Sequence, residues 1–385
     1  MNFITFGAPY YSQEEIADVV ESMQSGWIGT GQKVKRFEKV FAQYLGVEDC
    51  VAVNSCTSAL HLSLLEAGIG AGDEVITTAM TFCSTVNVII HAGATPVLAD
   101  ISSDDWNLTP ESIEEKITKK TKAILVVHFA GRACDMPRIR LIADKYKLII
   151  IEDCAHAIET KIADKHVGTF GDFAAFSFYS TKNISAGEGG VVVTNRGSEA
   201  LDRIRQRALH GMDKDAFKRF SSDGKAEYDV GFVGHKYNMM DLNAAIVFHQ
   251  LRKVNDWHKR RQEIWSYYLQ EFSNLQLSLP SLVKAEETHA YHLFQILLKV
   301  NNDPSTARSA FRQRMYESGV GSGIHYKPIA GFSVYKRKFS WETMSWPNAQ
   351  HFGQHTISIP LSPHLSDLDV EKVVASVKDA SRNVL

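Results

Sequence analysis

The chain has 385 residues, 44% of them apolar and 22% charged, the balance of a globular protein long enough for two cores. Its 42 basic and 44 acidic side chains leave a formal charge of -2, which excludes a general attraction to nucleic acid or an anionic membrane, so any anion must be met by a local pocket. Cys50, Cys56, Cys83, Cys134 and Cys154 are odd in number and lack paired metal-ligand spacing; they read as reduced, buried side chains suited to a reducing cytoplasm. The start, MNFITFGAPYYSQEEI, has no basic and apolar signal pattern, and no uncharged run approaches the roughly 20 residues of a bilayer span, so the expected location is cytoplasmic.

From about Cys50 to Thr194 short β-branched runs (CVAV, EVITT, AILVVHF, LIIIED, DFAAFSF, GGVVVT) alternate with helical patterns such as ESIEEKITKK and PRIRLIADKYK. Near-continuous apolar strands are buried on both faces, which predicts an α/β domain with a largely parallel sheet covered by helices. In open sheets of this kind ligands gather beyond the carboxyl ends of the strands, which singles out His128 and Asp153. From Asp241 to Phe272 the pattern becomes one long helix, with Leu242, Ala245, Ile246, Leu251 and Val254 approximating an apolar stripe. The runs HLFQILLKV, TARSAFRQRMYESG and TISIPL, and a last helix opened by Ser366 with Asp369 three residues on, predict a smaller C-terminal α+β domain. The division is placed between residues 1–249 and 250–385.

The chemistry concentrates in FSFYSTKNISAGEGG, residues 176–190. Lysine forms a Schiff base with an aldehyde when desolvation or a nearby cation keeps its amine neutral often enough to attack. Lys182 has Phe176, Phe178 and Tyr179 to exclude water and a Gly187, Gly189, Gly190 turn to leave room for a ring; a lone loop lysine would be a solvated charge. Asp153, at the end of LIIIED, suits a carboxylate that keeps a pyridine nitrogen protonated, with a helix N-cap as the competing reading. His156 is placed to pack on or bond to such a ring, against a structural histidine. In VNSCTSALHLSLLEAG the strand stops, Asn54 to Ser58 turn and Ala59 begins a helix, so the amides and hydroxyls of Cys56, Thr57 and Ser58 would meet a phosphate, with Ser177 reaching in. Phe82 is a candidate to stack on the cofactor, against an ordinary core aromatic. Amine, carboxylate and phosphate cradle together point to pyridoxal phosphate.

These segments resemble the DegT/StrS family of pyridoxal-phosphate-dependent sugar aminotransferases, within the aspartate-aminotransferase-like fold type I enzymes. The resemblance runs nearly end to end, through SGWIGTG, NSCTSALHL, GDEVITTAMTFCSTVN, HAGATPVLADI, VVHFAGRACDM, EDCAHA, LHGMDKDAF, HKYNMMDLNAA, GIHYKPIA and SIPLSP. It implies a large domain with a mostly parallel seven-stranded sheet. Lys182 would be the Schiff-base lysine, Asp153 the partner of the pyridine nitrogen, His156 the residue beside the ring and Phe82 the stacking aromatic. Cys56, Thr57 and Ser177 would bind the phosphate, and Asn238 would reach the phosphate of the neighbouring subunit, making a homodimer with shared sites. His325 and Tyr326 would face the sugar.

Two segments depart from many members. HKYNMM stands where an arginine-containing segment is common and resembles the subgroup that aminates C4 of nucleotide-linked sugars; KPIAGFSVYK follows GIHY without a second histidine. The expected reaction moves an amino group from an amino acid, most simply L-glutamate, through pyridoxamine phosphate to a UDP- or dTDP-linked 4-keto-6-deoxyhexose. The alternatives are a cyclitol or other keto-sugar aminotransferase, a dehydratase of the same family (whose members replace the lysine by histidine), and a non-catalytic binder of the cofactor.

Overall fold

Apolar runs in the first half of the chain supply most of the nine strands between residues 51 and 194 of the computed structural model, whose described residues are 3–213, 228–300 and 303–385. They are β1 (Val51–Val53), β2 (Glu74–Thr78), β3 (Thr95–Ala99), β4 (Thr121–Val127), β5 (Ile149–Asp153), β6 (Lys161–Ile162), β7 (Lys165–His166), β8 (Phe173–Ser177) and β9 (Gly190–Thr194). The last residues of the LHGMDKDAF segment, 214–217, lie outside the described residues.

Seven of these strands form one sheet in the order β1-β9-β8-β5-β4-β2-β3. Only β9 runs against its neighbours, so β1, β2, β4, β5 and β8 end along one edge. Alternate residues bury on opposite faces. Ile76, Ile124, Val126 and Ile150 pack with Ile139 and Ile142, while Val75, Leu125 and Ile151 pack with Leu60, Leu64 and Ile89. Each such side chain contributes about 1.5–3 kcal/mol when taken from water. Strand β3 is absent from the apolar runs picked out in the sequence because TPVLA carries Pro96; it lies at the sheet edge, where proline is tolerated.

The helix Asp241–Phe272 has the expected bounds, but its buried face is rotated from the expected stripe. Ala244, Val247, Gln250, Leu251 and Val254 are buried, whereas Leu242 and Ile246 lie at the margin, half-buried. Met239, Ala244, Val247, Leu251 and Val254 join the core around Phe176 and Phe178. Ile264, Trp265, Tyr268 and Phe272 join a second core with Phe294, Ile296, Ile357 and Val373. That second core is built on a three-stranded antiparallel sheet of β10 (Leu277–Ser278), β12 (Phe294–Leu298) and β13 (Thr356–Ile359), with helices Pro304–Glu317 and Asp367–Val384 beside it. Between β10 and β12, β11 (Glu287–Thr288) pairs instead with β6. The last helix has its capping box: the Asp369 N–H donates to Ser366 Oγ at 3.2 Å and the Ser366 N–H to Asp369 Oδ2 at 3.0 Å.

Candidate active site

At the edge where the strands end, β1 leads into α3 (Cys56–Glu66), preceded in the chain by α1 (Gln13–Gln24) and α2 (Gln32–Leu45) and followed by α4 (Cys83–His91). Helix α3 starts three residues before the expected Ala59, because Ser55 caps it: Ser55 Oγ accepts from the Ser58 N–H at 3.1 Å. The amides of Cys56 and Thr57 therefore fall in the first turn, where no helical carbonyl is available to them. Ser177 ends β8 opposite Gly190 of β9. A Cβ on Gly190 would lie 2.5 Å from the Ser55 carbonyl carbon and 2.6 Å from the Cys56 nitrogen, so glycine is what lets this strand lie against the helix start. Cys56, Thr57 and Ser177 thereby share one corner.

Asp153 ends β5 and is 4% exposed. Its Oδ2 accepts from Thr85 Oγ1 at 3.1 Å, its Oδ1 from the Ala155 N–H at 3.1 Å, and the Cys56 thiol lies 3.8 Å from Oδ1. Burial raises its pKa; the bonds from Ala155 and Thr85, and the charge of Lys182, oppose that shift. His128, the other residue at a strand end, is not part of this group. It is fully buried with Nε2 2.9 Å from Glu152, and Glu152 also accepts the Gly168, Phe170 and Gly171 N–H groups, so the pair holds a loop.

Lys182 sits in a turn closed by its N–H to the Tyr179 carbonyl at 2.9 Å. The residue is partly exposed, yet its amine end is surrounded closely enough that burial lowers its pKa to about 8, against the raising effect of Cys56 and Asp153. Among the described residues the amine has no hydrogen bond or ion pair. The expected aromatic wall is different in fact: Phe176 and Phe178 point into the core against Phe37 and Phe41, and Tyr179 is 46% exposed. Histidines face the amine instead. Burial first, and then the charge of Lys182, lower the pKa of His156, His292 and His325, the last to about 4.

His156 Nδ1 accepts the Ala130 N–H at 3.2 Å, so the neutral ring carries its proton on Nε2 and donates it to the Tyr326 hydroxyl at 3.0 Å. Burial, and next the charge of Asp153, push the Tyr326 phenol up, so it stays un-ionised. His325 Nδ1 lies 2.9 Å from Ser358 Oγ and its ring stacks on Phe6. Phe82 is no core aromatic: it caps α4, is 56% exposed, and its ring centre is 5.9 Å from that of Tyr326. Asn238 bridges to Val53 of its own chain, next to the start of α3, and donates Nδ2 to Thr30 Oγ1 at 2.6 Å. The Asn54 N–H bonds the carbonyl of Tyr237 at 2.7 Å, which fixes this segment beside the same corner.

Thr85, Asn183 and His292 are site residues that the sequence does not single out. Thr85 lies within TTAMTFCST and Asn183 directly follows Lys182, so both have a signal by proximity. His292 precedes β12 at the amino end of a strand of the other sheet, where the strand-end rule does not look. All five cysteines are free, and burial raises the thiols of Cys50, Cys56, Cys134 and Cys154 well above their usual range, which makes them inert packing groups.

These residues fit pyridoxal phosphate. Asp153 is a buried carboxylate without a basic ion-pair partner among the described residues, and it keeps lone pairs to spare after its three contacts, which is what a protonated pyridine nitrogen would take up. Free first-turn amides at Cys56 and Thr57 suit the phosphate, and the unpartnered Lys182 amine suits the aldehyde.

The match to known proteins agrees with that fit. The family described as the DegT/DnrJ/EryC1/StrS aminotransferase family matches residues 9–378. The spore coat polysaccharide biosynthesis protein SpsC of Bacillus subtilis is 41% identical over 378 residues, 98% of this chain and 97% of SpsC. Among solved structures, the candidate sugar aminotransferase Spr1654 of Streptococcus pneumoniae in its PMP form superposes with a TM-score of 0.93 at 31% identity over 99% of this chain and 100% of that one; its PLP form gives 0.92 at 30%, covering 100% of both chains. PseC of Helicobacter pylori, an aminotransferase involved in the biosynthesis of pseudoaminic acid, gives 0.90 at 28%, over 99% of this chain and 100% of that one. The α/β fold with its seven-stranded sheet is the fold type I architecture these enzymes share, and the chain belongs to the DegT/DnrJ/EryC1/StrS aminotransferase family.

Proposed function

We propose that this enzyme moves an amino group from an amino acid, L-glutamate, to a nucleotide-linked keto-sugar, a UDP- or dTDP-4-keto-6-deoxyhexose. It is a sugar aminotransferase with pyridoxal 5′-phosphate as cofactor and pyridoxamine 5′-phosphate as the amino-carrying form. The observation that carries the reading is the coexistence in one site of an unpartnered amine with a pKa of about 8, Lys182, and a buried carboxylate lacking a cation, Asp153. The cofactor, when bound, supplies an electron sink for the bond that breaks at the donor's α-carbon. Lys182 would attach the cofactor and, once free, would take the proton from the donor's α-carbon as a general base and deliver it as an acid to the former aldehyde carbon of the cofactor. Asp153 would hold a proton on the ring nitrogen through Oδ, and His156 would pack beside the ring. Phe82 would stack on it, and Cys56, Thr57 and Ser177 would bind the phosphate. Uncharged His325 and Tyr326 offer hydrogen bonds to sugar hydroxyls.

The retained lysine supports amination over dehydration, and HKYNMM supports a nucleotide-linked 4-keto-sugar. A homodimer in which Asn238 reaches the neighbouring phosphate belongs to the same reading; an uncovered apolar stripe on α1, formed by Ile16, Val20 and Met23, supports it. So do division into units 1–249 and 250–385, supported by the change of core along the helix Asp241–Phe272, and a cytoplasmic location, supported by the free thiols. No helix among the described residues is long and apolar enough to cross a membrane. Loading the protein with pyridoxamine phosphate and screening nucleotide-linked keto-sugars by mass spectrometry tests the function. Amination of a cyclitol ketone alone, or cofactor binding without amino exchange, would overturn it.

A further inference from the structure

Asn183, the residue after Lys182, has an amide whose orientation is fixed by its neighbours. Its Nδ2 donates to Glu159 Oε2 at 2.8 Å and to the Ala290 carbonyl at 2.9 Å, so its Oδ1 is the atom 2.9 Å from His292 Nδ1. An amide oxygen cannot donate; Nδ1 of His292 therefore carries the proton, and the neutral ring is left with its lone pair on Nε2. Behind this arrangement Glu159 pairs with Arg261, which is 1% exposed, so the anchor of Asn183 is itself buried and charge-balanced. His292 is 8% exposed and lines the same cavity as Lys182 and Asn183. Its Nε2 has no partner among the described residues. His156, whose ring centre is 4.4 Å from that of His292, has both nitrogens engaged, so it offers the lysine no acceptor.

We propose that His292 Nε2 is the acceptor that holds the Lys182 amine while that amine is free of the cofactor, with Asn183 as the lock on the ring's tautomer. This rests on the assignment of Lys182 as the attaching lysine. His292 is a positioning residue: it orients the amine toward the carbon whose proton it must take, and it stays neutral throughout. Asp153, Cys56, His156 and His325 also face the amine; of these His156, whose ring lies against that of His292, is the one the variants below touch, and its bonds to Ala130 and Tyr326 do not involve His292.

The test uses the full chain freed of cofactor, with pyridoxal phosphate itself as the probe. The rate of borohydride-trappable adduct formation is followed against pH for wild type, His292→Phe, His292→Gln and Asn183→Ala. An acceptor stabilises the ammonium, so its removal in His292→Phe is expected to move the midpoint of the pH curve down by about half a unit to one unit. It should also lower kcat by about 10- to 100-fold, with KM for the amino donor changed less than about threefold. Glutamine, with an acceptor oxygen at similar reach, should recover most of both effects. Asn183→Ala should give a smaller shift in the same direction and decides the matter if His292→Phe does not fold. Unchanged midpoints in His292→Phe and Asn183→Ala, or equal losses in His292→Phe and His292→Gln, overturn the proposal. Absence of an adduct in wild type would instead remove the assignment of Lys182.

Discussion

The two sides of the active site are built by different means. Asp153 and Ser177 end strands β5 and β8, which neighbouring strands hold in register on both sides, and Cys56 opens the helix that follows the edge strand β1. His325 and Tyr326 come from a segment more than a hundred positions further along the chain, and each is held by one side-chain bond, to Ser358 and His156 respectively. Where the cofactor is expected, position is dictated by the fold; where the sugar is expected, it is set by individual contacts that can be exchanged without disturbing the frame. Changes on the first side should therefore abolish chemistry, and changes on the second should adjust it.

The sharpest break is Lys182→Ala. It should lower amino transfer by about 10^3-fold or more and leave no borohydride-reducible adduct on the peptide spanning residues 176–190, read by mass spectrometry. Asp153→Asn keeps the size and most hydrogen bonds but cannot stabilise a ring proton; a loss in kcat of about 10^2- to 10^3-fold with an unchanged melting temperature is expected. The third effect is a pH shift. Only the neutral amine attacks, so capture of pyridoxal phosphate by cofactor-free protein should rise with pH through a midpoint near 8, the value to which burial brings Lys182, and level off above it, instead of rising on past 10 as for an ordinary lysine. Gly190→Ala forces a methyl group against the Ser55 and Cys56 backbone. It should cost about 1–3 kcal/mol in thermal or denaturant unfolding and weaken cofactor retention in equilibrium dialysis. His325→Asn is the mildest: KM for the sugar should rise about tenfold while the half-reaction with the amino donor is untouched in single-turnover kinetics. A large loss in that half-reaction would show that the two sides are not separable.

The same contrast explains what the sequence makes legible. The sheet can be read because its strands are buried on both faces and so appear as continuous apolar runs; β3 escapes because Pro96 breaks the run at the one place, an edge, where the sheet permits it. Asp153 and Lys182 are legible because strand ends and a glycine-rich turn mark them locally. The start of α3 lies earlier than the composition suggests because turn residues and helix caps are the same residue types. Asn54 and Ser55 suit either role, and only the bond from the Ser58 N–H to Ser55 Oγ makes the serine a cap. Thr85 is marked only by lying in TTAMTFCST, not as a donor to Asp153, and nothing local marks His292 as a neighbour of Lys182, since both contacts depend on which segments the fold brings together. The buried face of the long helix is hidden for a related reason: Gln250 is polar in composition but buried by bonds to the Ser185 N–H and the Tyr10 carbonyl, a contact that apolar periodicity cannot register.

The helix Asp241–Phe272 carries a mechanical consequence. Its 32 residues, free of proline and glycine, span about 48 Å as one rod, with the first half clamped in one core and the second in the other. Pivoting at the middle would have to break its ladder of main-chain bonds, so a sugar must reach the site past rim side chains such as the exposed Phe82, and not by the whole molecule opening like a clam.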